Sequence, residues 1–284
     1  MEISDGAVRI LAGLLGARTG QQLATGRRWR IDTALRPLLA QYGLVSLDVL
    51  VSRIASGECP ELADAAIDAL LNHETFFYRD MAAFKLLDEQ GLLRFHAARA
   101  STKRLRIWSA GCSTGQEAYT LAMMIADRPD RWKGWTIEIV GTDLSASAIE
   151  QARAGRYSQF EIQRGLPVTQ MLRRFEPDGL EHWRASDELR SAARFRVHNL
   201  LEPPPAGQFD IVLCRNVLLY FSPDVRSLVF GRLAGAMPAD GLLMLGAGET
   251  VMGQTDQFVS DYECRGFYRK RVALPPMQII ERVC

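Results

Sequence analysis

Up to about residue 70 the apolar positions recur at helical spacing. Leu11, Leu14 and Leu15 share one face, Ile31, Leu35, Leu38 and Leu39 share another, and Gly16, Gly20 and Gly43 punctuate the run. Strand-like alternation is missing there. The pattern predicts a small helical bundle over 1–71, with its last helix at 61–71.

From residue 105 strand-like and helical runs alternate. Strands are predicted at 105–109, 136–141, 209–214 and 241–246, and helices at 117–127, 147–154 and 223–237. Such alternation predicts an α/β domain whose parallel sheet is covered on both faces. About 40 residues before Phe195 break the rhythm. Pro177-Asp178-Gly179 is a strong turn signal, and its flanks at 174–175 and 181–184 read as a hairpin. The expected organisation is therefore a helical domain at 1–71, a linker at 72–100, and an α/β domain at 101–272. That domain carries an inserted antiparallel β subdomain at about 156–197, and a loose tail follows at 273–284.

Composition narrows the class. The chain has 284 residues, 48% hydrophobic and 24% charged, enough for a sizeable core without staples. Lys+Arg is 34 and Asp+Glu is 33, so no global field draws the chain to nucleic acid or a membrane surface. Cys59, Cys112, Cys214, Cys264 and Cys284 form no C-x-x-C and no zinc-like spacing, which reads as reduced thiols and no metal. The acidic start lacks a signal-peptide pattern, and no apolar run approaches the ~18 residues of a membrane span. A cytoplasmic protein, monomeric by default, is expected. One local bias stands out: Arg18, Arg27, Arg28, Arg30 and Arg36 cluster with only Asp32 opposing. It is either a solvated helix face or a docking surface for an acidic partner such as a Glu-rich helix.

Candidate chemistry lies where predicted strands end. In Ile107-Trp-Ser-Ala-Gly-Cys-Ser-Thr-Gly-Gln-Glu117 a strand runs through Gly111 and Gly115 into a helix, the arrangement by which an open α/β sheet holds a cofactor. Two glycines rather than three disfavour a nicotinamide dinucleotide. Asp143 ends the next strand, where a carboxylate can accept from both ribose hydroxyls or cap the following helix. Together they fit a nucleoside-bearing cofactor without a pyrophosphate, S-adenosylmethionine (SAM) first among candidates. Cys214-Arg-Asn-Val-Leu-Leu-Tyr-Phe221 puts Asn216 and Tyr220 beyond a third strand. Val217-Leu218 stands where amide and amine N-methyltransferases carry Pro-Pro, which argues against a nucleobase or glutamine nitrogen as acceptor. In Asn72-His-Glu-Thr-Phe-Phe-Tyr-Arg-Asp80 three aromatics precede an arginine, as a packed hinge or as part of a site.

These motifs, with Gly141-Thr-Asp143 and His198-Asn-Leu-Leu201, closely resemble the CheR family of bacterial chemoreceptor glutamate methyltransferases over residues 8–271. The resemblance implies a Rossmann-like SAM-dependent methyltransferase sheet with a small β subdomain, preceded by an all-α domain. It implies S-adenosylhomocysteine as product. It maps SAM contacts onto Thr75, Arg79, Glu117, Asp143, Asn199, Leu200, Asn216 and Val217, beside the Gly111 loop, and puts Arg79 and Tyr220 near the methyl-transfer centre. Many members have Asn where this chain has His73, with Asn72 one position earlier. That contact falls to His73, to Asn72, or is missing. Gln116 stands where Glu is common, while Glu117 keeps the acidic position.

The implied acceptor is a glutamate of the cytoplasmic domain of a methyl-accepting chemoreceptor, docked through the arginine cluster and the β subdomain. Glutamate is already ionised near neutral pH, with a pKa of about 4.3, so its attack needs no general base. Arg79 would orient the carboxylate, Glu117 meet the cofactor's ammonium and Asp143 its ribose. The competing readings are a SAM-binding regulatory module that transfers nothing, and a carboxyl methyltransferase with another acceptor.

Overall fold

The structure, a computed structural model, describes residues 4–23, 28–57 and 59–271, with the side chains of 28–30 left aside. Four helices open the chain: α1 (Asp5–Thr19), α2 (Arg28–Gln41), α3 (Leu47–Ser56) and α4 (Pro60–Leu70). The Ser4 hydroxyl accepts from the Ala7 N–H at the start of α1, and Gly20 ends it at φ 73°. The leucines that share faces in the sequence meet here, with Leu11, Leu15, Leu35, Leu39, Leu50 and Leu62 in one buried cluster.

The segment expected as a linker is in large part a helix. It runs as α5 (Met81–Leu86), one π turn (Leu87–Gly91) and α6 (Leu92–Ala98). Phe84, Leu87, Leu92 and Phe95 are buried in the core of the large sheet, so this stretch packs with the α/β body.

The strands in chain order are β1 (Arg104–Ala110), β2 (Thr136–Asp143), β3 (Arg156–Ser158), β4 (Phe175–Pro177), β5 (His182–Ala185), β6 (Ala193–Val197), β7 (Ile211–Cys214), β8 (Leu242–Leu245), β9 (Phe258–Ser260) and β10 (Tyr268–Lys270). Seven form one sheet in the order β6-β2-β1-β7-β8-β10-β9. β6, β2, β1, β7 and β8 are parallel, and β10 runs antiparallel to both β8 and β9. α7 (Gln116–Ala126) leads from β1 to β2, and α8 (Ala146–Ala154) follows β2. The small sheet, β3-β5-β4, carries the expected hairpin, with α9 (Gln159–Gln163), α10 (Val168–Arg174) and α11 (Asp187–Ser191) around it.

The inserted unit is shorter than 156–197. β6 leaves it to pair with β2, Phe195 facing Gly141 across the register. A Cβ at Gly141 would stand 2.6 Å from the Phe195 ring, so the glycine opens the space in which that edge strand docks. α12 (Pro223–Gly235) joins β7 to β8. Because β2 and β7 flank β1 on opposite sides, the chain reverses its winding there and leaves a crevice at the carboxyl ends of the strands.

Candidate active site

The crevice holds a partly enclosed pocket at the carboxyl ends of β1, β2 and β7. Its wall includes Asn72, His73, Thr75, Arg79, Gly111, Glu117, Asp143, Asn199, Leu200, Asn216, Val217 and Tyr220. The structure thus brings every candidate residue of the sequence onto one surface, from strand ends and loops far apart in the chain.

The loop after β1 is held open by backbone geometry. Gly111 has φ 81°, and a Cβ there would lie 2.5 Å from the Val217 Cγ2 methyl. The Ser113 N–H donates to Asp143 Oδ2 at 2.8 Å, and the Ser113 hydroxyl donates to the His73 carbonyl at 3.0 Å. Asp143 also accepts from the Ser145 N–H at 3.0 Å, while Ser145 itself caps α8. Burial pushes the Asp143 carboxyl above the ordinary carboxylate range, against the pull of its two backbone N–H partners and of His73.

Glu117 opens α7 and is already engaged. It accepts from the Ser109 hydroxyl at 2.7 Å and from Arg215 Nη1 at 3.0 Å. The Arg215 side chain is 2% exposed. It donates to the Arg79 carbonyl at 2.9 Å, pairs with Asp80, and lies 5.2 Å from the centre of the Phe84 ring. Sequence reasoning passed over Arg215, although it sits inside a motif singled out for its neighbours. An arginine directly after a fully apolar strand was the available signal. Tyr78 and Asp80 adopt positive φ, 53° and 62°, and form the turn that presents Arg79. Arg79 Nη1 donates to the Glu74 carbonyl at 2.8 Å, and the guanidinium lies 5.6 Å from the centre of the Phe76 ring.

The Asn72/His73 departure has a geometric outcome. Asn72 Nδ2 donates to the Tyr220 hydroxyl, while His73 Nε2 lies 3.1 Å from the Asp68 carbonyl at the end of α4. The helical domain completes the rim. Asn199 Nδ2 donates to the Arg18 carbonyl at 2.9 Å, and the Gln22 N–H donates to the Tyr220 carbonyl at 2.7 Å.

A family model described as "CheR methyltransferase, SAM binding domain" matches residues 73–264. The chemotaxis protein methyltransferase of Vibrio anguillarum is 36% identical over 90% of this chain and 93% of its own length. The chain belongs to the CheR methyltransferase family. Chemotaxis protein methyltransferase 1 of Pseudomonas aeruginosa is likewise 36% identical, over 84% of this chain and 88% of the relative. The Escherichia coli relative is 32% identical over 90% and 91%. Magnesium protoporphyrin IX methyltransferase of Synechocystis PCC 6803, solved with SAM bound, is 17% identical over 58% of each chain, at a TM-score of 0.33.

As a CheR methyltransferase the protein uses SAM, and its cavity fits that cofactor's polarity. Asn216 Oδ1 and His198 Nδ1 are buried and have no partner among the described residues. His198 Nε2 lies 2.9 Å from the Pro203 carbonyl and donates to it. The Asp143 and Glu117 carboxylates on the wall suit a ligand that offers hydroxyl and ammonium donors. Among the described residues no group of His, Cys, Asp or Glu is placed to hold a metal, and no helix is long and apolar enough to cross a membrane. Cys284 and the tail at 273–284 lie outside the described residues.

Proposed function

We propose that this CheR methyltransferase methylates glutamate side chains of bacterial chemoreceptors, giving glutamate methyl esters and S-adenosylhomocysteine, in the cytoplasm, for adaptation in chemotaxis-type signalling. The observation that carries the reading is the presence of Arg79, Tyr220 and Asp143 on one wall, while its two histidines, His73 and His198, are turned to the Asp68 and Pro203 carbonyls. A carboxylate acceptor is ionised at neutral pH and has no proton to lose, so it needs no base at that place.

SAM supplies an electrophilic methyl on a sulfonium. The protein's part is binding, alignment and exclusion of water. Asp143 accepts from ribose hydroxyls. Glu117, steadied by Ser109 and Arg215, offers negative charge to an ammonium. Asn216, Asn199 and Leu200 close the cofactor side. Arg79 offers a planar fork to the two oxygens of the incoming carboxylate, and its bond to the Glu74 carbonyl limits the fork's swing. A loose grip serves the reaction better than a tight one, because strong pairing would stabilise the unreacted carboxylate. The Tyr220 ring, tied by Asn72, borders the place of transfer.

The acceptor docks through the arginine cluster of the helical domain and through the β subdomain, and the working state is a monomer. Arg18 pairs with Asp64 and Arg36 with Asp32, in exposed bridges that a stronger acidic partner can replace. Arg27 lies outside the described residues, as do the side chains of Arg28 and Arg30.

The test is transfer of labelled methyl from SAM to a receptor cytoplasmic fragment, followed by release of methanol in alkali. Base-labile label that disappears with Arg79→Ala is the expected result. Tight SAM binding with no label on any receptor fragment would favour the regulatory module or another acceptor instead.

A further inference from the structure

The loop that carries Asn216, Val217 and Tyr220 is held from outside. Asn216 sits at φ 59°, in the left-handed region that asparagine enters more readily than other non-glycine residues. Turning there points several successive N–H groups the same way, a concavity that binds anions. The anion is a side chain from the loop after β8. Glu249 Oε2 accepts from the N–H groups of Asn216 at 2.7 Å and Gly246 at 2.8 Å. Its Oε1 accepts from Val217 at 3.0 Å and Leu219 at 3.3 Å. A Cβ at Gly246 would lie 2.7 Å from Asn216 Nδ2 and 2.8 Å from Glu249 Oε2, so that glycine leaves room for the clasp.

We infer that Glu249 is a positioning residue for methyl transfer, an inference that rests on the reading of the cavity above. Its carboxylate holds the loop 215–221 in the one geometry that serves both halves of the site. On the cofactor side it fixes Asn216, whose Oδ1 is buried without a partner among the described residues, and presses Val217 against Gly111. On the acceptor side it fixes the Leu218–Tyr220 turn, whose last residue holds Asn72. A neutral amide cannot replace it, because its single oxygen serves half of the donors and its NH2 faces the rest.

The test compares wild type, Glu249→Gln and Glu249→Asp as full chains. SAM affinity is read by calorimetry, kcat and both KM values with a receptor fragment, and the thermal midpoint by scanning calorimetry. For Glu249→Gln we expect SAM affinity and kcat each to fall about tenfold or more, with receptor KM unchanged. Glu249→Asp, which keeps the charge on a shorter arm, recovers part of both. A folded Glu249→Gln enzyme with SAM affinity and kcat within twofold of wild type overturns the inference. So does one that loses only thermal stability while its kcat, measured well below the midpoint, is intact. If Glu249→Gln does not fold, Glu249→Asp decides alone: a loss of SAM affinity beyond twofold supports the clasp, and values within twofold of wild type overturn it. Should wild type transfer nothing to a receptor, the function fails, but the calorimetric comparison of SAM binding still judges Glu249.

Discussion

Replacing Arg215 with methionine removes a cation from between two acids while leaving the volume nearly filled. The Arg215 side chain is 2% exposed, Glu117 is 12% and Asp80 is 38%. The charged hydrogen bond to Glu117 is worth about 1.5–3 kcal/mol and the bond to the Arg79 carbonyl about 1 kcal/mol. The Asp80 pair adds less than about 1 kcal/mol, because solvent screens that carboxylate. Together these give about 2.5–5 kcal/mol, close to the usual cost of stripping one partner from a buried pair. At about 2–4 °C per kcal/mol for a domain of this size, the midpoint should drop by roughly 5–20 °C in scanning calorimetry. Turnover should fall as well, because the Arg79 backbone loses its tether. Arg164→Met is the control, since its pair with Glu74 is 40% and 52% exposed and should move the midpoint little. A midpoint within about 2 °C of wild type in Arg215→Met would show that the buried bridge carries no such load.

Asp143→Ala should weaken SAM binding by about tenfold or more in calorimetry, because charged hydrogen bonds to the ribose are lost. In wild type, SAM affinity should fall on acidification at a higher pH than an ordinary aspartate near 3.9 would give. Burial raises the Asp143 carboxyl, which takes up its proton earlier, and Asp143→Ala should abolish that limb. Gly111→Ala places a Cβ 2.5 Å from the Val217 methyl at φ 81°, and should raise KM for SAM severalfold and lower the thermal midpoint. Charge reversal at Arg27 and Arg28 should raise KM for a receptor fragment but not for SAM, and added salt should weaken receptor binding. An unmoved receptor KM would make the cluster a solvated face.

The elements that matched best are those whose pattern is local. The apolar runs at 209–214 and 241–246 became Ile211–Cys214 and Leu242–Leu245, since a strand covered on both faces needs apolar residues throughout. The helix over 81–98 was passed over although Phe84, Leu87, Leu92 and Phe95 stand at i, i+3, i+8 and i+11, a spacing that one helical face accommodates. β9 and β10 are three residues each and exist only through their pairing. Ala193–Val197 shows the alternation of a strand, but nothing in it says which of two sheets it joins. The same division holds in the site. Asp143 and Asn216 announce themselves by standing at strand ends. Arg215 and Glu249 act through partners as far off as Arg79, 136 positions away, and Asn216, 33 positions away. No spacing rule reaches that far.

The cavity wall draws on Thr19 near the start of the chain, and its loop is clasped by Glu249 near the end. During synthesis the helical bundle and the first strands leave the ribosome long before the clasp exists, and domains tend to fold in that order. The nascent chain therefore carries the Gly111 loop and Asp143 without the Asn216–Tyr220 wall opposite them. On the inference that Glu249 positions the site, completing the cofactor wall waits for the loop after β8.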